Sequence, residues 1–255
     1  VPVVYGYTAA VIRMRGGNRT MSTFSEASRE CLFFPFELVP KGQIEAFEEA
    51  GIECADSGIP QDKDKRTISG IYQQCLNAVR SMRSSLEREL LNRWQDRFRE
   101  EPNAWLLVDG GLRDITRITE TAGNVVGVVK DCRTPFFPWV QQAKIFSMPT
   151  GYRCTVFETP PAQTNPVHSW YQRLWDNRGR DILFGLVRVE VPASSKSVLL
   201  ADQLSEWVFA ERGPLSRPDP RWDRLVYPIH DCELYLKSTA PSLSFVYAIL
   251  GSIGG

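Results

Sequence analysis

Histidine is scarce in this 255-residue chain, with only His168 and His230, and the six cysteines (Cys31, Cys54, Cys75, Cys132, Cys154, Cys232) never form a CxxC pair. A zinc site therefore lacks a ligand set, and scattered thiols read as reduced, cytosolic cysteines and not as a disulfide scaffold. No Ser/His/Asp or Cys/His arrangement is recognisable, no P-loop occurs, and the glycine pairs do not form GxGxxG, so hydrolysis by a nucleophilic triad is unsupported. An excess of either charge is also missing, since Lys+Arg and Asp+Glu both number 30. Net charge thus gives no reason to expect nucleic acid, and any basic surface must come from local clustering. No apolar run could span a bilayer, and the valine-rich start has no basic stretch of the signal-peptide kind, so the expectation is no membrane and a cytoplasmic location. Internal repeats and low-complexity tracts are absent. The chain also opens without methionine, directly inside a strand-like run, as though something upstream were missing.

What is present suffices for a full core: 43% of residues are apolar and 11% aromatic, enough for one domain over residues 1–255. Residues 3–14 are β-branched and aromatic; Gly16-Gly17-Asn18 turns the chain into a run from Arg19 to Ser25, and Cys31 to Val39 gives a third, an antiparallel meander. A short helix is expected at Gln43–Ala50, then a polar surface loop or insertion at 56–66. From Thr67, a candidate N-cap, the period changes. Ile71, Cys75, Val79, Met82, Leu86, Leu90, Trp94 and Phe98 recur every three or four residues, one apolar stripe on a long helix ending before Pro102. Strands follow at Ala104–Val108, Val125–Val129, Tyr152–Phe157 and Ile182–Val191, with helices at Val167–Trp175 and Ser197–Ala210. The fold class is α/β, a mixed sheet flanked by helices, with the long helix preceding an acidic strand.

That acid is Asp109, where Leu106-Leu-Val-Asp-Gly-Gly-Leu112 breaks from an apolar run into two glycines. Asp-Gly-Gly can be a plain turn; it can also put a carboxylate at a strand mouth, where sheet proteins keep their chemistry. A divalent metal needs several oxygen ligands gathered from separate elements. Arg83-Ser-Ser-Leu-Glu-Arg-Glu89 offers two: Glu87 flanks the buried stripe beside Leu86, and Glu89 lies further toward solvent. Either can equally be an exposed helix charge paired with a neighbouring arginine. Lys130 and Arg133 close the next strand and can either neutralise a phosphate or serve as ordinary strand-end charges. Alternation in Val187-Arg-Val-Glu-Val-Pro192 puts Arg188 and Glu190 on one polar face. His230 has Asp231 and Glu233 beside it; His168 reads as structural.

Together these pieces resemble the NurA nuclease family, which processes DNA ends alongside the hexameric ATPase HerA. The resemblance covers roughly Ser81 to Lys237 and rests on four elements in order. Arg83-Ser-Ser-Leu-Glu87 is similar to the family's acidic helix, and Leu106-Leu-Val-Asp-Gly-Gly-Leu112 to its second acidic strand. Val126-Gly-Val-Val-Lys-Asp-Cys-Arg-Thr134 resembles its Gly-hydrophobic-hydrophobic-Lys segment, and Asp219-Pro-Arg-Trp-Asp-Arg-Leu-Val-Tyr-Pro-Ile229, with Glu233 and Lys237, its C-terminal segment. The resemblance implies a ribonuclease H-like fold, nuclease activity on DNA, a Mn2+ or Mg2+ site, a homodimer and a HerA-type partner. It implies Asp109 and Glu87 as metal ligands, Lys130 near the phosphate and His230 as a participant; Arg133, Arg188 and Arg221 are candidate DNA contacts. Two departures stand out. The family's first acid has no counterpart, because residues 1–14 contain no Asp or Glu, and it is expected upstream of Val1. Gly111 also replaces the usual serine. Without the first acid the chain reads as a degenerate, partner-binding subunit; a third reading is another ribonuclease H-like nuclease with no HerA-type partner. Phe136-Phe-Pro-Trp139 and Leu243–Leu250 are candidate dimer surfaces, or plain core.

Overall fold

The structure is a computed structural model that describes residues 1–17, 20–112, 124–159, 166–213 and 222–253. The chain divides into two units: Val1–Arg93 with Leu234–Gly255, and Trp94–Glu233.

In the first unit, β1 (Val4–Arg15) and β2 (Met21–Phe34) form a long antiparallel hairpin from Val4↔Phe33 to Arg15↔Met21. The expected second and third strands are therefore one strand, and the meander is a hairpin. The charged stretch Glu26–Glu30 between the two apolar runs contains neither Gly nor Pro to turn the chain, and Glu26, Arg29 and Glu30 stay exposed on the strand. Helix α1 (Lys41–Glu49) follows, then β3 (Cys54–Asp56), which pairs parallel with the end of β2. The loop expected at 56–66 has its first residue on β3 and a 3-10 turn at Lys63–Lys65.

Alternation along β2 feeds two cores. Leu32 and Phe34 pack with Phe47 of α1, while Cys31 and Phe33 pack with Cys75 of the long helix α2 (Ile68–Phe98). Thr67 caps that helix, its Oγ1 accepting from Gly70 N at 3.1 Å. The stripe is as expected: Ile71, Cys75, Leu86, Leu90, Trp94 and Phe98 are buried. Gly6 allows the close approach, because a Cβ there would lie 2.7 Å from Val79 Cγ2.

The second unit holds a mixed sheet in the order β4-β5-β8-β7-β6. Its strands are β4 (Leu106–Asp109), β5 (Val125–Val129), β6 (Phe157–Thr159), β7 (Val167–Arg173) and β8 (Leu186–Pro192). Only β4 and β5 are parallel. The helix expected at Val167–Trp175 is strand β7, so His168 sits on a strand and not at a helix start. Every residue of β7 except His168 is buried, with β6 and β8 on either side, and Val, Trp and Tyr mixed with His, Ser, Gln and Arg over seven residues show no alternation that would mark a strand. The strand expected at Tyr152–Phe157 reduces to an isolated bridge, Arg153↔Gln172, before β6 begins.

Between β5 and β6 lies α3 (Trp139–Phe146); after β8 comes α4 (Ser195–Ala210). Ala201, Leu204 and Val208 of α4 cover one sheet face with Val126, Val128, Trp170, Val187, Val189 and Val191. Ile145 of α3 covers the other with Cys132, Tyr171 and Leu186, and Phe136 and Phe137 pack there, so that pair is core and not free surface. Arg173 is fully buried on this side. Its guanidinium donates to the carbonyls of Phe146, Ile182 and Phe184, and desolvation holds its pKa below the ordinary arginine value. The chain closes with α5 (Tyr227–Thr239) and the apolar α6 (Leu243–Ile253), on which Leu243, Phe245 and Tyr247 are exposed. Among the described residues no helix is long and apolar enough to cross a membrane.

Candidate functional site

Parallel pairing puts the carboxyl ends of β4 and β5 on one edge of the second unit. Asp109 ends β4, in register with Val128, and Lys130 is the first residue beyond β5. The chain leaves β4 through Gly110, whose φ of 111° suits glycine, and Gly110 N still donates to Val128 O at 3.0 Å. Gly127 lies opposite; a Cβ there would sit 2.7 Å from Gly110 O. The two glycines thus make the sharp turn and the close strand contact that aim Asp109 outward.

Three of the expected residues come together here. Lys130 Nζ lies 3.0 Å from Asp109 Oδ1 and donates to Glu233 Oε1 at 2.8 Å. Glu233 is on α5, one turn beyond His230, whose Nδ1 is 3.8 Å from Glu233 Oε2. The ammonium is mostly shielded while Asp109 is half exposed, at 18% and 50%. Among the described residues, no three His, Cys, Asp or Glu side chains form a group able to hold a metal ion.

The remaining candidates have other partners. Glu87, in the first unit, is half exposed and 3.5 Å from Arg83. Glu89 is more tied up, paired with Arg93 at 2.5 Å and Arg29 at 3.0 Å, as a solvated helix face would have it. Arg133 is 83% exposed beside Asp131 and open to a ligand. Arg188 is not: it is buried, bonded to Glu190 Oε1 through Nε at 3.0 Å and Nη2 at 2.7 Å, with its guanidinium 4.4 Å over the Phe136 ring. It does share a face with Glu190, but that face is interior, since every residue of β8 is buried. A guanidinium so enclosed does not reach a phosphate backbone. Arg221 lies outside the described residues. His168 Nδ1 is 2.7 Å from Ser197 Oγ in the capping box of α4, a structural role.

Glu190, which the sequence placed with Arg188 on a polar face, is buried and has a structural part that the sequence did not show. Its second oxygen accepts from Leu112 N at 2.8 Å, tying the segment after Asp109 to the sheet centre. A Cβ on Gly111 would lie 3.0 Å from that oxygen, so the glycine that replaces the resembled family's serine makes room for this contact. The available signal was a lone Arg/Glu pair inside an otherwise apolar strand. No protein-family model matches the chain, and no curated protein matches it.

Proposed function

We propose that the chain is a divalent-metal-dependent DNA nuclease of the NurA type, with a ribonuclease H-like arrangement, working as a homodimer beside a HerA-type ATPase. The observation supporting it is the convergence of Asp109, Lys130 and Glu233, from three separate elements, on one exposed strand-end edge. Those residue types suit phosphodiester chemistry. Mg2+ and Mn2+ prefer oxygen ligands, and Mg2+ is commonly held by one or two carboxylates with phosphate oxygens and water completing its shell. Asp109 and Glu233 would be those carboxylates. When bound, such an ion acidifies a coordinated water and offsets charge on the leaving oxygen. Lys130 orients the two carboxylates and offers its ammonium to the phosphate; Arg133, exposed on the following loop, screens the DNA backbone. Glu87 enters through the resemblance alone.

The test is cleavage of linear duplex DNA with Mn2+ or Mg2+, alongside Mn2+ titration by electron paramagnetic resonance. Asp109→Asn and Glu233→Gln should each lower cleavage by about 100-fold or more and weaken Mn2+ binding, without change in the folded circular dichroism spectrum. Undiminished cleavage by Asp109→Asn would end this reading. A second reading, a partner-binding subunit without catalysis, is favoured by the two-carboxylate count of the cluster and predicts no cleavage with retained binding to a HerA-type hexamer.

A further inference from the structure

We infer that Arg224, anchored by the buried carboxylate of Asp223, is a positioning residue for Lys130; its functional meaning rests on the reading above, while the geometry stands by itself. Lys130 has left β5, and the ladder with β8 ends at Val129↔Arg188, so its carbonyl has no strand partner there. Arg224 Nη1 fills that role, donating to Lys130 O at 2.8 Å. A carbonyl at a strand end can turn to water, so fixing it needs a donor that is itself held. Asp223 holds it. This side chain is 3% exposed; its Oδ2 accepts from Arg224 Nε at 3.1 Å and from Gly185 N at 2.5 Å.

Gly185 makes the turn into β8 at a φ of 67°, and a Cβ there would sit 2.6 Å from Trp175 N. The anchor is thus a closely packed turn. The connection runs from that turn through Asp223 and Arg224 to the backbone of Lys130, whose ammonium then meets Asp109 and Glu233. A lysine stem is long and flexible; holding its backbone on one side and its ammonium on the other leaves it little freedom. Only a forked guanidinium spans both partners, since Nε serves the carboxylate and Nη1 the carbonyl. An ammonium at the same place keeps the charge but has no two fixed arms.

The consequence is local and readable without any activity. The full chain is treated with trace acetic anhydride at one fixed pH, and the labelling rate of Lys130 is measured by peptide mass spectrometry against Lys41, which is 90% exposed. In the unaltered chain Lys130 should label several-fold more slowly than Lys41, because its side chain is only 18% exposed and its ammonium is held by Asp109 and Glu233. Arg224→Gln and Arg224→Lys should both raise the Lys130 rate several-fold, leaving the other lysines unchanged. Asp223→Asn should do the same by releasing the anchor. A wild-type Lys130 rate in a folded Arg224→Gln chain would overturn the inference; if that variant does not fold, Arg224→Lys decides. Restoration by Arg224→Lys would also overturn it, because charge alone would then suffice. Should the unaltered chain cleave no DNA, the nuclease reading fails while the labelling result still tells whether Arg224 positions Lys130.

Discussion

Replacing Glu190 by glutamine isolates the buried pair that ties the sheet to the segment after Asp109. The carboxylate is fully buried; it takes two bonds from Arg188 on one oxygen and one from Leu112 N on the other. Glutamine offers one oxygen and one amide group where two acceptors are needed. Either Arg188 or Leu112 N then faces a donor, leaving a buried polar group unsatisfied, worth about 1–3 kcal/mol. The guanidinium also loses its counter-charge, and breaking a buried pair on one side costs about 3–5 kcal/mol. These costs overlap, so the net expectation is a loss of about 3–5 kcal/mol. All seven tryptophans lie between Trp94 and Trp222, within the second unit, so tryptophan fluorescence in urea follows that unit alone. With a slope of about 2 kcal/mol per molar urea the midpoint should fall by roughly 2 M. Arg188→Met should cost a similar amount by stranding the carboxylate. The double variant Arg188→Met/Glu190→Met removes both charges and should be less destabilised than either single one. A loss below about 1 kcal/mol for Glu190→Gln, or additive costs in the double variant, would refute the reasoning.

Other perturbations give distinct outcomes. Gly127→Ala places a methyl against Gly110 O and should cost about 1–3 kcal/mol in the same urea assay, with weaker Mn2+ binding because the end of β4 must move. Ser194→Ala removes the side chain that accepts from Ser197 N at 3.1 Å and should cost about 1 kcal/mol. Burial pushes the Cys132 and Cys31 thiols up to about 12, from an ordinary value near 9.0. The unfolded chain therefore ionises these thiols first as pH rises. Their contribution is fully present below pH 9.0 and is lost on the way to about 12, each steepening the fall by about 1.4 kcal/mol per pH unit. Denaturant titrations from pH 8 to 11 would show this, and Cys132→Ala should flatten the slope. The same burial should leave both thiols slow toward iodoacetamide near neutral pH, measured by mass spectrometry.

The long helix was legible because its stripe persists through many turns, which no strand could imitate, and Thr67 capped it as a threonine in that place should. β5 was legible over its whole length, Val125–Val129, as a five-residue apolar run. β7 was not, because its burial comes from both sheet faces and erases the alternation that marks a strand. At the site, Asp109 and Lys130 announced themselves by ending apolar runs. Their pairing with Glu233 depends on parallel register and on α5, more than 100 residues further on, which local pattern does not encode. Arg188 misled because a charged residue in a strand suggests a wet face, and only the packing of Phe136 and α3 makes that face dry.

Arg173 has one more implication. A buried guanidinium whose partners are the carbonyls of Phe146, Ile182 and Phe184 cannot lose one of them piecemeal, since the charge would then sit in a dry interior with too few dipoles around it. The connection at 174–185 and the end of α3 should consequently open together. In native-state hydrogen exchange the amides of Leu174, Phe184 and Leu186, whose carbonyl partners are Gly185, Asp181 and Leu183, would show one shared opening free energy. A connection that is not itself a strand would then exchange with the cooperativity of one.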